Sequence, residues 1–546
     1  MSFRKNHIEE LLEELRENKI HISLGDDVLK LKFNGTKPAP VLIEKLKAHK
    51  QELLGFLKDK ENNQIAKVEI SDTGYPLSSS QFRLWIISQI EKYSISYNMP
   101  FQIVLEEEIN ASLLEKSISS VIKRHESLRT VFKKNEEGEI QQWIITPEAL
   151  NFELNVIDVS LKEDAETLAN KTIKEDYYVP FDLENGPLIR CMLLKINEKK
   201  WLFYFNMHHI ISDGWSIHIF SRDIMQFYKS YAEGKTPVLP ELSIQYKDYA
   251  KWQRIQLKTA ENKKDKAFWE TIFSDEIPVL ELPSHQARPN ARTNNGHLLR
   301  MYLPESETKN INTYISGKGG TLFMFLIASL NTLLYRYSGS DDIILGTPVA
   351  GREHLALENQ IGFYVNTLAI RTKMNAAMSF NALYNQTKQH ILEVYAHQKY
   401  PFDQLIDDLK IKTSINRNPL FDVLVILQNF TNSKNTEEFK VKNIGAVESY
   451  GAVASKFDLT FCFAEIGGLL SIDLNYNTDI YNDDTMRELL LNYRKLVQQA
   501  TNSEALNIQD FTISLEVIKE ETVSTTDKKE YDDFLEKINN EMSDDF

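Results

Sequence analysis

Apolar residues recur along this chain with two distinct periods. From Leu113 to His125, Trp215 to Tyr231, Leu322 to Tyr335 and Met486 to Ala500 they return every three or four positions, which predicts helices. In the second of these, Ile217, Phe220, Ile224, Phe227 and Tyr231 share one face. Shorter apolar runs, Phe101–Leu105, Leu188–Leu194, Trp201–Met207, Ile343–Gly346, Asp422–Leu427 and Leu469–Tyr476, have the length and texture of strands. Their alternation with helical segments from about Tyr75 to Leu515 predicts an α/β fold. No short internal period marks a solenoid.

The two ends read differently. In residues 1–60, Ile8, Leu11, Leu12 and Leu15 stand at helical spacing. His21–Leu24 and Val28–Phe33 flank Gly25-Asp26-Asp27 as a hairpin, and Leu42, Leu46, Leu53 and Leu57 mark a second helix after Pro38 and Pro40. An αββα unit this short has a thin core and suits the presentation of a surface, and a hairpin edge accepts an added strand. Residues 61–74 form a polar linker. The acidic tail, 516–546, places Phe534, Leu535, Ile538 and Met542 at helical spacing. It reads either as a solvated end or as a short motif that orders on a partner.

Composition narrows the picture. At 546 residues the chain has ample length for a large core. Lys+Arg 63 against Asp+Glu 78 gives a net charge of -15, which argues against a nucleic-acid partner. Two distant cysteines, Cys191 and Cys462, offer neither a disulfide framework nor a CxxC zinc site. The N-terminus lacks an apolar signal segment, and no run approaches the ~18–20 residues of a membrane span. A soluble cytoplasmic protein without a membrane partner is expected.

The chemistry concentrates at His208-His209-Ile210-Ile211-Ser212-Asp213-Gly214, between a buried strand and a helix. Histidine is the side chain best suited to moving protons near neutral pH. Neighbouring strand residues point to opposite faces, so the pair is a poor metal site, and none is expected. His208 is expected to hydrogen-bond within the fold and brace the turn, while His209 faces a cavity as candidate general base. Asp213 is placed to cap the helix or pair with an arginine. Arg352, in Gly346-Thr-Pro-Val-Ala-Gly-Arg352, is the candidate partner. Gly214 is expected to allow a sharp turn and an open approach to the histidine. No GxSxG elbow or phosphate-binding loop accompanies the turn. A base that acts on an already activated acyl donor needs neither.

The heptad resembles the HHxxxDG signature of the condensation domains of nonribosomal peptide synthetases, relatives of chloramphenicol acetyltransferase. Ser80–Trp85, Arg124–Phe132, Tyr246–Trp252, Ile361–Arg371, His397–Phe402 and Asn416–Phe421 resemble the family's other motifs, in order. Lys399 stands where an acid is commoner, and Thr413-Ser414 replaces the usual Arg-Asp. The wording of Arg124-His-Glu, Ser94–Pro100 and Met207-His-His resembles the subtype joining an L donor to an L acceptor. Epimerase relatives share the heptad.

The resemblance implies two acetyltransferase-like lobes in a V, with 75–240 as the first and 241–515 as the second. It implies an amide-forming enzyme, and with no adenylation signature and no Leu-Gly-Gly-x-Ser carrier site in the remaining sequence a free-standing one is expected. A donor thioester would arrive on one carrier protein, and the amine on a second carrier or free. Substrates would ride on the 4′-phosphopantetheine of the carriers, so the chain itself binds no cofactor. His209, supported by His208, Asp213 and Gly214, would do the chemistry. Asn366 and Arg371 would either position the pantetheine arm or brace the cleft. Residues 1–60 resemble αββα docking domains that capture the C-terminal peptide of an upstream subunit. Lys19, Lys30 and Lys32 either attract such a peptide or simply solvate the hairpin. The acidic tail is a candidate dock for a downstream subunit. His125, on the apolar face of its helix, is expected in the core. Two alternatives stand beside this: an acyl-CoA-dependent acyltransferase of the same fold, and a non-catalytic recruitment platform.

Overall fold

The computed structural model describes residues 20–25, 28–33, 45, 46, 49, 50, 64–89, 95, 97–411, 414–428, 444–503 and 505–513. They belong to two compact units, Met1–Lys67 and Val68–Phe546. In the first, Ile20–Gly25 pairs antiparallel with Val28–Phe33, and Lys30 stands opposite Ser23 and Lys32 opposite His21. The sheet has only these two strands among the described residues. Lys19, the helix expected near Ile8–Leu15, most of the Leu42–Leu57 segment and the tail 516–546 lie outside the described residues.

The second unit is built around two sheets. The first has four strands in the order Asn98–Leu105, Trp201–His208, Ile189–Lys195 and Asn155–Asp158. The first three are antiparallel, and Asn155–Asp158 runs parallel to its neighbour. Every residue of Trp201–His208 is buried, as a central strand covered on both faces requires. Leu114, Ile118, Val121 and Ile122 of helix Ala111–Arg124 and Phe220 and Ile224 of helix Gly214–Ala232 cover one face. The Phe205 and Phe220 rings meet edge-on there at 4.9 Å. Ala169 of helix Ala165–Tyr177 packs with Met192, Leu194 and Tyr204 in a separate cluster. Each large apolar side chain so buried contributes about 1.5–3 kcal/mol.

The second sheet has seven strands, in the order Asn366–Lys373, Asp342–Val349, Val423–Gln428, Leu459–Ile466, Leu469–Asn477, Asn295–Leu303 and Val447–Ala454. Helix Leu322–Ser338 is buried from Phe323 through Leu334, and with Phe380–Ala396 and Asp483–Asn502 it packs in the larger core. Among the described residues no single helix is long and apolar enough to cross a membrane.

A single cut near residue 240 does not describe how the chain divides between these sheets. Ile361 is buried in the core of the first sheet, and Ser127 Oγ donates to its carbonyl at 2.8 Å. Residues 352–364 are therefore a strap that leaves the seven-stranded sheet, packs on the first lobe and returns. The predicted helix from Leu113 stops at Arg124, and His125 leaves it with extended backbone. His125 is buried, with Nε2 2.9 Å from Asp223 Oδ2.

Candidate functional site

Strand Trp201–His208 ends at the first histidine. A 3₁₀ turn, His209–Ile211, follows, and then helix Gly214–Ala232. The two histidines separate because the strand stops between them. His208, 1% exposed, lies among Tyr97 and Phe181 of the first lobe, with ring centroids 6.4 and 6.1 Å away. His209 is half-buried and meets the edge of Phe363 on the strap at 4.7 Å.

Hydrogen bonds assign the two rings opposite tautomers. The Ile210 amide donates to His208 Nδ1 at 3.1 Å, so that nitrogen carries a lone pair and braces the turn. His209 Nδ1 lies 2.8 Å from the Ser212 carbonyl oxygen. A carbonyl only accepts, so Nδ1 holds the proton and Nε2 presents a lone pair. Burial pushes His208 down to about 3, and the neighbouring charges of His209 and Lys456 act in the same direction. Burial, then Lys456, also holds His209 well below the usual histidine range, against the opposing pull of Asp213. Both rings are therefore neutral at pH 7, the state a proton acceptor needs.

Asp213 is fully buried, and both its oxygens are spent. Oδ1 accepts from the Ser216 amide at 2.8 Å, the Ser216 hydroxyl at 2.7 Å and Arg352 Nη2 at 2.9 Å. Oδ2 accepts from the Tyr364 amide at 3.0 Å. Arg352 Nη1 donates to the Leu357 and Gln360 carbonyls at 2.6 Å each, and its guanidinium lies 4.2 Å from the Tyr364 ring centre. Asp213 thus caps the helix and pairs with the arginine at once, clamping the strap over the histidine turn. Gly362 lies in that strap, and a Cβ there would stand 2.0 Å from Tyr246 Cδ2. The Tyr246 hydroxyl in turn donates to the Phe363 carbonyl at 2.7 Å.

The model of the Condensation domain matches residues 71–523. The chain belongs to the condensation-domain family. It is 34% identical over 489 residues to tyrocidine synthase 3 of Brevibacillus parabrevis, covering 89% of this chain and 7% of that relative. The chain therefore spans a small part of the length of that curated relative. Two solved structures share its fold. One is the complex of the X-domain and OxyB from teicoplanin biosynthesis, at TM-score 0.71 and 21% identity over 83% of this chain and 98% of the other. The other is the starter condensation domain of rhizomide synthetase, at TM-score 0.65 and 22% identity over 82% and 100%.

In this condensation domain several expected site residues lie elsewhere or act otherwise. Gly214 is exposed, has no left-handed φ, and a Cβ there would meet nothing within 4 Å. The sharp turn does not require it. The turn is made by the 3₁₀ segment and by the extended backbone of Asp213, at φ -139 and ψ 178. Asn366 braces the fold. Its Nδ2 donates to the Gln398 and Tyr400 carbonyls at 2.8 Å, and its Oδ1 accepts from the Phe402 amide at 3.0 Å, so both amide protons are spent on the backbone. Arg371 is buried among Asp342, Asp275 and the carbonyls of Ile272 and Glu276, a cluster apart from the histidine turn. Lys399 pairs with Glu353 at 3.3 Å across partly exposed surface.

Lys456 stands near the histidine turn without any mark in the sequence pattern. It sits between strands Val447–Ala454 and Leu459–Ile466, with Nζ 5.0 Å from the centre of the Tyr97 ring. Burial pushes its ammonium down to about 8. As one lysine before an apolar run it carries no pattern; only the approach of two lobes puts it near the histidines. Ser216 and Tyr364 were equally silent, because the Gly362 carbonyl lies 146 positions from Ser216 and Asp213 lies 151 from Tyr364.

Proposed function

We propose that this condensation domain joins a carrier-bound peptidyl or aminoacyl thioester to an amine, and that His209 Nε2 orients the amine and takes its proton. The observation carrying this is the His209 Nδ1–Ser212 hydrogen bond, which leaves Nε2 as acceptor on a half-buried ring. The amine nitrogen attacks the thioester carbonyl carbon, and the carbonyl π pair moves to oxygen. The amine proton passes to Nε2. When the pair returns, the C–S bond breaks, its electrons leave on sulfur, and Nε2 returns the proton to the thiolate. His208 holds the turn, and Asp213 with Arg352 holds the strap that carries Phe363 against His209. Gly214 leaves the space at the helix start open. The 4′-phosphopantetheine belongs to the donor and acceptor carriers as part of the substrate. The L-donor, L-acceptor pattern of Arg124-His125-Glu126 and Ser94–Pro100 supports condensation over epimerisation.

A reconstituted assay with loaded carriers tests this. His209→Ala should lower amide formation by about 100-fold or more, within the range of general-base contributions. Unchanged turnover would refute the assignment. Replacing the donor carrier with acyl-CoA should abolish the reaction, whereas efficient acyl-CoA turnover would favour a soluble acyltransferase. A recruitment platform is the second reading, supported by the shared fold with an X-domain found in complex with OxyB. It predicts no turnover for the native chain or for His209→Ala.

Residues 1–60 are proposed to receive the C-terminal peptide of an upstream subunit by strand addition. The support is a hairpin whose two strands each have one edge unpaired among the described residues. Deleting 1–60 should abolish the binding heat of that peptide in calorimetry, and undiminished affinity would refute the docking role. Lys19, Lys30 and Lys32 would favour an acidic peptide, and the acidic tail would serve a downstream subunit in the same way.

A further inference from the structure

We propose that the Lys456 ammonium is a second catalytic group: it faces the histidine turn from the second lobe and stabilises the negative charge that forms on the thioester carbonyl oxygen. The inference rests on the condensation reading above.

The lysine is held on a firmly anchored segment. The Ser455 amide donates to the Asn294 carbonyl at 2.9 Å, and the Ser455 hydroxyl to the Phe457 carbonyl at 2.7 Å. Asn418 Nδ2 donates to the carbonyl of Lys456 itself at 3.2 Å. Phe457 stacks on Phe421 with centroids 5.6 Å apart, and Asp458 is paired with Arg288, Nη1 to Oδ1 at 3.0 Å. From this base the side chain reaches Tyr97, whose ring lies 6.4 Å from that of His208. Among the described residues no carboxylate stands within ion-pair distance of Nζ. A half-buried cation without a counter-ion among the described residues costs stability, and a side chain kept in that state suits a charge that appears only during reaction.

Several of the donors around the turn are already committed. Both Arg352 Nη groups serve Leu357, Gln360, Asp213 and Ser216. The Gly362 amide serves Ser216, the Tyr364 amide Asp213 and the Ile210 amide His208. Asp213 has the wrong sign. Lys456 adds a cationic donor that no carboxylate holds among the described residues. In the step above, its N–H donates a hydrogen bond to the oxygen while the π pair resides there. The lysine keeps its proton, and the bond weakens as the C=O reforms and sulfur leaves.

Lys456→Met, Lys456→Gln and Lys456→Arg in the full chain test this, with saturating loaded carriers and single-turnover rates. Met and Gln should lower the chemical rate by about 100-fold, the scale of losing one oxyanion donor, with KM for both carriers within about threefold. Arg should restore part of the rate. Met should also raise the unfolding midpoint, because it keeps the stem and removes the unpaired charge. A rate within about threefold of native, or a rise confined to KM, would overturn the proposal. So would a lowered midpoint that accounts for the lost rate, since Lys456 would then be structural. Loss of activity in His209→Ala but not in the lysine variants would sink the lysine role and leave condensation standing. Absence of amide formation by the native chain would sink both.

Discussion

Arg352 Nη2 donates to Asp213 Oδ1 at 2.9 Å, and both side chains are buried. This contact joins residues 139 positions apart and locks the strap of the second lobe onto the cap of the helix that follows the histidines. It is a structural clamp, since neither Asp213 oxygen is left to touch a substrate. Its consequence for His209 is indirect. The strap carries Phe363, whose ring meets His209, so the clamp sets one wall of the site.

Breaking one side of the clamp leaves an uncompensated buried charge. Asp213→Ala and Arg352→Ala are each expected to destabilise the domain by roughly 3–5 kcal/mol. The double variant should lose clearly less than the sum of the two. Asp213→Asn keeps an oxygen for the helix cap and should cost less than Asp213→Ala. Denaturant unfolding of the four proteins measures all three expectations, and additive losses would contradict the clamp.

The strap also explains a glycine. A Cβ on Gly362 would sit 2.0 Å from Tyr246 Cδ2, and the Tyr246 hydroxyl is fixed between Ser78 Oγ at 2.8 Å and the Phe363 carbonyl at 2.7 Å. The ring cannot retreat without losing both bonds. Gly362→Ala should therefore cost about 1–3 kcal/mol by overpacking and displace Phe363. A midpoint equal to native would contradict this.

How much of this was legible in the sequence depends on distance along the chain. The helices and strands were readable because their apolar periods are local. The histidine turn was readable because its parts are contiguous. The Asp213–Arg352 pair was proposed from Arg352's place in a Gly-Thr-Pro-Val-Ala-Gly segment, and the structure joins the two. The strap was not readable: Ile361 belongs to the first core although its neighbours in sequence serve the second sheet. Gly214 was read as a turn residue from its position after Asp213, yet the backbone there is helical. Lys456 and Tyr97 meet only when two lobes assemble, and neither belongs to a pattern that announces the meeting.

Asn366 separates bracing from substrate contact. Its amide makes three hydrogen bonds to the backbone of 398–402. Asn366→Asp cannot donate, and sets a carboxylate against two carbonyls. It should destabilise by a few kcal/mol, at about 1–3 per unsatisfied group. If bracing is its role, KM for the loaded carriers should stay near native under conditions where the variant is folded. A raised KM with an unchanged unfolding midpoint would instead assign Asn366 to the pantetheine arm.

The histidine pair sets a pH dependence whose direction follows from burial. His208 is pushed down to about 3, and His209 is held low as well, against about 6.5 in an unfolded chain. Above pH 6.5 both are neutral in either state, so neither affects stability. Below it the unfolded chain takes up protons that the folded chain refuses. Stability should then fall with decreasing pH by up to about 1.4 kcal/mol per pH unit for each histidine. The loss would continue until the folded pKa is reached. His208→Gln keeps an acceptor for the Ile210 amide and removes one titrating group. Its unfolding free energy should thus change less steeply between pH 6 and pH 4.5 than that of the native chain, with carboxylate contributions cancelling in the comparison. The same depression keeps His209 unprotonated, so the acid limb of kcat/KM should lie below pH 6.5. Identical slopes for the two proteins, together with an acid limb above pH 6.5, would mean that the rings are not held neutral by the fold.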